Sequence, residues 1–406
     1  MAEAEKKQYF VKNEQMDFEI QCILGSCYYG AADAGDILTV ADLLVEGDFE
    51  SWVQAWHSMA ERVRGFAEQS AAVGNELSAG WAYLRAATYY AATLSMIDGS
   101  KDPSRRVPFW NEHIRCFDEF CSRLSPPAEK VEIPYEDTPM PGYLFKPDGS
   151  GGPWATIILN NGSDGPTCGM WTLGVAGALR RGYAALIFDG PGQNGLLWLK
   201  DVPFRYDWEK VMTPVVDFLE SRGDIDPGRI ALSGISQGGY WVLRALAFEH
   251  RIRAGIADPG VIDVFTVMRE RWPKEMLELL DSGQEEQFDQ IMKEGMGAMD
   301  DAQRQQMLWR MKPYGTDKFS EWVKAAEQFN ARDCIKQVEC PMWIADPDDE
   351  QFWPRQSQEV YDALECPKTI ARFTREEGAN WHCEPKARAL YDQRMLDWLA
   401  TVVPAR

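Results

Sequence analysis

Histidine is scarce in this chain. His57, His113, His250 and His382 are the only four in 406 residues, so a reaction that needs an imidazole base has few places to find one. The nine cysteines are odd in number and scattered, and no CxxC pair has a second pair at zinc spacing. Reduced thiols and no metal site are expected. Basic clusters are missing as well: 42 Lys+Arg stand against 63 Asp+Glu, for a formal charge of -21. Such a chain repels phosphate backbones and anionic lipid headgroups, which excludes nucleic acid and membrane surfaces as partners. No run of about 18 apolar residues could cross a bilayer. The opening "MAEAEKKQYFVKNEQ" lacks an apolar signal core, so a soluble, cytoplasmic protein is expected. Repeats at propeller or solenoid periods are absent too.

Proline is absent before Pro103, and over that region apolar residues recur at helical spacing, as at Trp52, Val53 and Trp56 or Tyr83, Ala86, Ala87 and Tyr90. This predicts a helical N-terminal domain over residues 1–125. "LSPPAEK" (124–130) breaks the pattern. From 126 to 406 the rhythm becomes strand, loop, helix, with apolar runs at 155–160, 184–189, 229–234, 253–258, 341–346 and 368–373. Short apolar runs alternating with helices imply a mostly parallel sheet covered on both faces. A helix from about Asp207 carries Trp208, Val211, Met212, Val215 and Leu219 on one face, as a crossover helix should. Between about 260 and 333 the rhythm stops in favour of a helical insertion rich in Met and Trp, including Met268, Trp272, Met276, Met292 and Trp322. It reads as a lid, and its composition suits both ordinary helix packing and an adaptable surface over an apolar ligand.

The stretch "RIALSGISQGGYW" (229–241) joins an apolar strand to a helix through Gly234-Ile235-Ser236-Gln237-Gly238. This is the G-x-S-x-G pattern, in which small residues let a serine occupy a sharp strand-to-helix turn. A serine hydroxyl needs a histidine base, itself oriented by a carboxylate. His57 and His113 lie in the helical region and His250 ends a helix; each reads as a helix-surface or interface residue. His382 falls instead in "EEGANWHCEP", a loop after the last strand and before the last helix. The order Ser, acid, His directs the search for the acid to "DPDDEQFWP", with Asp346, Asp348, Asp349 and Glu350 as candidates. Laying Trp353-Pro354 on the V-P of the usual H-G-x-x-D-x-x-V-P pattern favours Glu350, and Asp349 serves if the loop is one residue tighter. An oxyanion needs two backbone N–H donors: Gln237, which follows the serine, and Ser163 in "NNGSDGPTCGMW". "FDGPGQ" (188–193) reads as a structural turn beside the site. Neither a metal nor an organic cofactor is called for.

These residues, with "GAADAGDILTVADLLVEGDFESWVQAW" early, "GISQGG" and "RALAFEHR" in the middle, and "TREEGANWHCEP" late, resemble a branch of the α/β-hydrolases that carries a helical N-terminal domain. The branch includes polyketide-shortening hydrolases and 2,6-dihydroxypseudooxynicotine hydrolase. The resemblance implies an α/β-hydrolase fold and a Ser-acid-His triad, with Ser236 and His382 at the matching positions. Where the branch has Asp, this chain has Glu350, with Asp349 just before it. It also implies a homodimer, and cleavage of a C–C bond next to a ketone in a small aromatic or polyketide-like metabolite. An esterase, thioesterase, lactonase or acyltransferase shares the same triad, and a non-catalytic ligand-binding protein on this scaffold is the rival of another class. A serine in the elbow excludes an aspartate-nucleophile dehalogenase or epoxide hydrolase, and a helical N-terminal quarter is at odds with the β domain of a prolyl oligopeptidase.

Overall fold

The structure, a computed structural model, describes residues 9–147, 151–299 and 301–406, so the first eight residues of the opening stretch lie outside it. The chain divides into two compact units, Met1–Leu124 and Ser125–Arg406.

In the first unit the helices Glu14–Gly25, Ala34–Ala41, Phe49–Ala72, Glu76–Leu94 and Arg106–Ser122 follow one another, and its described residues contain no strand. The Asp48 carboxylate accepts the Glu50 and Ser51 N–H groups and so starts the third helix, using donors that have no partner inside the helix. Trp52, Trp56, Tyr89 and Tyr90 are fully buried, and the Trp52 indole reaches the Ala92 carbonyl at 2.7 Å. His113 corrects an expectation. It lies in this core rather than on a helix surface, completely buried, with Nδ1 3.0 Å from the Ala87 carbonyl. Burial pushes its pKa down to about 4, so at neutral pH it is an uncharged packing residue.

The second unit is built on one eight-stranded sheet: β1 (Glu129–Ile133), β2 (Met140–Phe145), β3 (Trp154–Asn160), β4 (Ala184–Phe188), β5 (Ile225–Ile235), β6 (Ala254–Asp258), β7 (Met342–Pro347) and β8 (Lys368–Phe373). Their order across the sheet is β1-β2-β4-β3-β5-β6-β7-β8. The pairings of β1 with β2 and of β2 with β4 are antiparallel, and all the others are parallel. β3 to β8 fall on the six apolar runs. β1 and β2 lie outside those runs; β1 buries only Val131 and Ile133, a pattern too short to stand out from a loop. β3, β4, β6 and β7 are buried at every position, as central strands covered on both faces must be. The crossover helix Glu209–Glu220 supplies part of that cover, with Trp208, Val211, Met212, Val215 and Leu219 fully buried. Trp208 stacks on Trp241 of the helix Gly238–Leu246 at 4.1 Å between ring centroids, worth about 0.5–1.5 kcal/mol beyond the buried area.

Register brings the strand ends level: Asn160 pairs with Gly234, Ile235 with Asp258, and Pro347 with Phe373. The loops after β3, β5, β7 and β8 therefore leave from the carboxyl edge, where open α/β sheets bind ligands. After β6 the chain enters an insertion whose helices are Thr266–Arg271, Lys274–Asp281, Glu285–Gly297, Asp301–Met311 and Phe319–Glu327. Phe265, Phe288, Met296, Met311, Phe319 and Trp322 form its own core, with Met268, Trp272, Met276 and Met292 partly buried against it. Its root is pinned by backbone hydrogen bonds from Val264 to Phe329 (3.0 Å) and from Ala331 to Ile262 (2.8 Å). The Gln356 amide adds bonds to the backbone of Ile262 and Asp263. Among the described residues no helix is long and apolar enough to cross a membrane, and none of the nine cysteines is joined in a disulfide.

Candidate active site

β5 ends at Ile235, and the next residue, Ser236, has φ +58°. An L-residue rarely adopts this left-handed conformation, and it persists only where its surroundings hold it. Here the Ser236 N–H donates to the Asp258 carbonyl at 2.6 Å. A Cβ on Gly234 would lie 2.3 Å from the Gly238 carbonyl oxygen, so the turn closes only with glycine at that position. Gly162 approaches from the other side; a Cβ there would sit 3.3 Å from Ser236 Oγ.

Ser236 Oγ lies 2.9 Å from His382 Nε2. On the far side of the ring, Nδ1 lies 2.9 and 3.0 Å from the two Glu350 carboxylate oxygens. With Nδ1–H donating to Glu350, Nε2 is left free to accept the serine proton. Glu350 Oε1 also accepts the Phe352 N–H at 2.8 Å and the Trp353 N–H at 3.2 Å, which prevents the carboxylate from rotating away. The His382 N–H is held by Gln351 Oε1 at 3.1 Å, and the Phe352 and Trp353 rings flank the imidazole at 4.6 and 5.6 Å. Burial alone would raise the Glu350 pKa, but the His382 charge and these hydrogen bonds outweigh it and hold the carboxyl below its usual range. Burial alone would lower His382. The charge and hydrogen bond of Glu350, with smaller contributions from Asp258 and Asp164, reverse that and leave it raised.

The other three acids of the β7 loop face elsewhere. Asp346 and Asp348 pair with Arg372. Asp349 pairs with Arg375 at 2.5 Å and accepts the Asn380 amide at 2.9 Å. The structure thus brings Ser236, His382 and Glu350 together and leaves Asp349 outside. Among the described residues neither the Gln237 nor the Ser163 N–H has a protein acceptor, whereas the N–H of Gly162, just before Ser163, is taken by Asn161 Oδ1 at 2.8 Å.

Gln193 does more than close the turn beside the site. Its Nε2 donates to the carbonyls of Asn161 (3.0 Å) and Gly162 (2.6 Å), while its Oε1 accepts the Gly190 N–H at 2.7 Å. One buried amide therefore fixes the carbonyls just before Ser163. Asn160 continues the ladder, accepting from Trp208 Nε1 and donating to Asn161 O, both at 2.8 Å. Nothing in the sequence separates a glutamine buried across a loop from one exposed on a turn. Asp189 beside it is pushed up to about 6 by burial, against the Asn194 and Thr167 hydrogen bonds. Among the described residues no group of three or more His, Cys, Asp or Glu could hold a metal.

A serine on a strained turn, hydrogen-bonded to a histidine that a buried carboxylate orients, at the carboxyl edge of a mostly parallel sheet, is the arrangement of a hydrolase working through serine. The sequence profile of the prolyl oligopeptidase family matches residues 175–294, within this catalytic unit. The chain is 36% identical over 265 residues to a 20-hydroxy-prefusarin hydrolase of Gibberella moniliformis, spanning 63% of each chain. It is 30% identical over 403 residues to the hydrolase LUC6 of a Fusarium species, spanning 94% of this chain and 95% of the relative. Among solved structures, 2,6-dihydroxy-pseudo-oxynicotine hydrolase superposes with a TM-score of 0.68 at 22% identity, over 93% of this chain and 95% of that one. The chain belongs to the α/β-hydrolase family, in the branch that holds these fungal hydrolases.

Proposed function

We propose that the protein hydrolyses a β-dicarbonyl group in a small apolar or aromatic metabolite, breaking the C–C bond next to a ketone through an acyl-enzyme on Ser236. The observation that carries the proposal is the buried chain of hydrogen bonds from Ser236 through His382 to Glu350 at 2.9–3.0 Å. His382 Nε2 takes the hydroxyl proton as Oγ attacks the ketone carbon. The Gln237 and Ser163 N–H groups receive the resulting oxyanion. Collapse re-forms the carbonyl and breaks the bond to the neighbouring carbon, whose electron pair delocalises into the second carbonyl as an enolate. The imidazolium returns its proton to that carbon, releasing a ketone. Water, deprotonated by His382, then attacks the acyl ester, and the products are a carboxylic acid and free Ser236.

Hydrolases among the relatives support the general chemistry, and one of them is named for 20-hydroxy-prefusarin. The second carbonyl is what makes a carbanion an acceptable leaving group. With an ester, thioester or lactone the same residues would expel an alkoxide or thiolate instead.

Incubating the enzyme with an aryl β-diketone and an aryl ester in parallel tests the reading. Acid and ketone in equal amounts from the diketone are expected, along with loss of most turnover in Ser236→Ala. Turnover of the ester alone would move the assignment to ester chemistry, and an undiminished Ser236→Ala would sink the scheme.

A further inference from the structure

A second group of ionisable side chains adjoins His382, and the chemistry above makes no use of it. Asp258 ends β6, Glu384 follows His382 by two residues, and Arg388 opens the helix Arg388–Val402. Their exposures are 1%, 0% and 2%. Charged side chains are almost never buried so fully unless paired. Yet Nε and Nη2 of Arg388 have no hydrogen-bond partner, and the carboxylate oxygens of Asp258 and Glu384 have none while both are ionised, although the two carboxyls lie within hydrogen-bonding reach of each other. Two ionised carboxylates cannot donate to each other, but a single proton between them can. Burial, and then the Asp258 charge, push Glu384 well above the ordinary carboxyl range. A protonated Glu384 donating to Asp258 leaves a single negative charge on that carboxyl pair to face the Arg388 guanidinium, which the buried Asp392 also adjoins.

The placement of this group is specific. Arg388 Nη1 donates to the Cys383 carbonyl at 2.8 Å, one residue after His382, and lies 3.8 Å from Asp258 Oδ2. The Asp258 carbonyl accepts both the Ser236 N–H at 2.6 Å and the Cys383 thiol at 3.4 Å. The Arg388 side chain therefore grips the backbone beside His382, while the main chain of its partner Asp258 holds the serine end of the same hydrogen bond. The backbone on the histidine side needs such a grip: Trp381, Cys383 and Glu384 have φ of +79°, +60° and +43°. Three left-handed non-glycine residues around one imidazole relax unless neighbours over-determine them.

We propose that Asp258, Glu384 and Arg388 are positioning residues that anchor the Ser236–His382 hydrogen bond independently of Glu350. The inference rests on Ser236 and His382 being the reacting pair, and it holds whichever bond the acyl-enzyme breaks. It is tested without a natural substrate by the inactivation kinetics of a fluorophosphonate that phosphonylates Ser236, resolved into kinact and KI. Arg388→Met, folded by circular dichroism, is expected to lower kinact on the order of 10- to 100-fold, as misplacement of a reacting group does, with KI unchanged. Arg388→Lys, which keeps a cation facing Asp258, should recover part of the loss. Glu384→Ala, which removes the proton donor beside Asp258, is expected to lower kinact as well, and Glu384→Gln, whose amide keeps a donor there, to recover part of that loss. A folded Arg388→Met with wild-type kinact overturns the inference, and so does Arg388→Lys no better than Met. Should Arg388→Met not fold, Asp258→Asn takes its place; lowered kinact supports the anchor and wild-type kinact overturns it. A wild-type enzyme that the fluorophosphonate fails to label would instead overturn the reading of Ser236 as nucleophile.

Discussion

Asp349 and Glu350 are adjacent in the chain and carry the same functional group, yet their surroundings differ in nearly every respect. The Asp349 side chain is 24% exposed, ties to the surface Arg375, and sits on a residue with φ +61°. The Glu350 side chain is 6% exposed and spans the gap between His382 and two backbone N–H groups. Both carboxyls are held below their usual range, but for different reasons. At Asp349 a hydrogen bond from Arg375 leads, in contact with solvent. At Glu350 the imidazole and the backbone must first overcome burial. Since water screens the first and not the second, only Glu350 can transmit its charge to His382 at full strength. The lesson is that a carboxylate's role follows from what desolvates it and not from its place in a motif.

Substitution tests that contrast directly. The largest effect is expected for Glu350→Gln, which keeps the shape but presents a neutral amide to Nδ1. By analogy with other triads kcat should fall by roughly 10²–10⁴-fold with KM little changed. Steady-state kinetics beside Asp349→Asn check it, and a larger loss in the Asp349 variant would reverse the assignment.

The next effect concerns pH. His382 must be neutral to accept the serine proton, and its pKa lies above the ordinary 6.5. Activity should therefore fall as pH drops through a value above 6.5, and that limb should move to lower pH in Glu350→Gln. A limb that stays put in the variant would separate Glu350 from the titrating group.

Stability gives a third, smaller signature. A carboxyl held below 4.5 adds stability that is present above its unfolded pKa and is lost as pH falls through its folded one. A histidine held above 6.5 adds stability that is complete below its unfolded pKa and is lost as pH rises through its folded one. The Tm advantage of wild type over Glu350→Gln should thus peak between these ranges and shrink on both sides; a flat difference across pH would contradict it. The smallest effect is expected for Asp349→Asn itself, with kcat/KM within about threefold of wild type, as for other solvent-exposed ion pairs.

Much of this site is legible in the sequence because its parts obey local rules. The elbow announces itself through glycines, one of which, Gly234, backbone packing demands while a Cβ on Gly238 would only crowd the Asn160 carbonyl, and His382 stands out because histidine is rare. The Trp353-Pro354 register points to Glu350 rather than Asp349, and the hydrogen bonds of the loop follow that register. β3 to β8 are legible because buried parallel strands read as continuous apolar runs. The features that escape notice are those whose meaning is tertiary. β1 alternates Glu, Lys, Val, Glu, Ile on a sheet edge, a pattern that a solvated loop also produces. His113 occupies a helical position whose burial depends on which helices pack over it. Asp258, Glu384 and Arg388 look like ordinary surface charges until β6, the His382 loop and the last helix converge. Gln193 acts across 31 residues on the Gly162 carbonyl, and no short-range pattern encodes such a contact.

Trp353 joins two parts of the catalytic unit that could otherwise vary separately. Its backbone N–H rests on Glu350, its indole N–H donates to the Val264 carbonyl at the root of the insertion at 3.1 Å, and its ring flanks His382. Among the described residues, the helices beyond that root, Thr266–Glu327, contribute none of the hydrogen bonds of the Ser236–His382–Glu350 chain, whereas residues 262–264 and 329–331 are tied into its frame. The catalytic unit therefore has a seam at this root: the insertion helices lie on one side of it, and on the other lie the residues whose hydrogen bonds hold His382 and Glu350 in place.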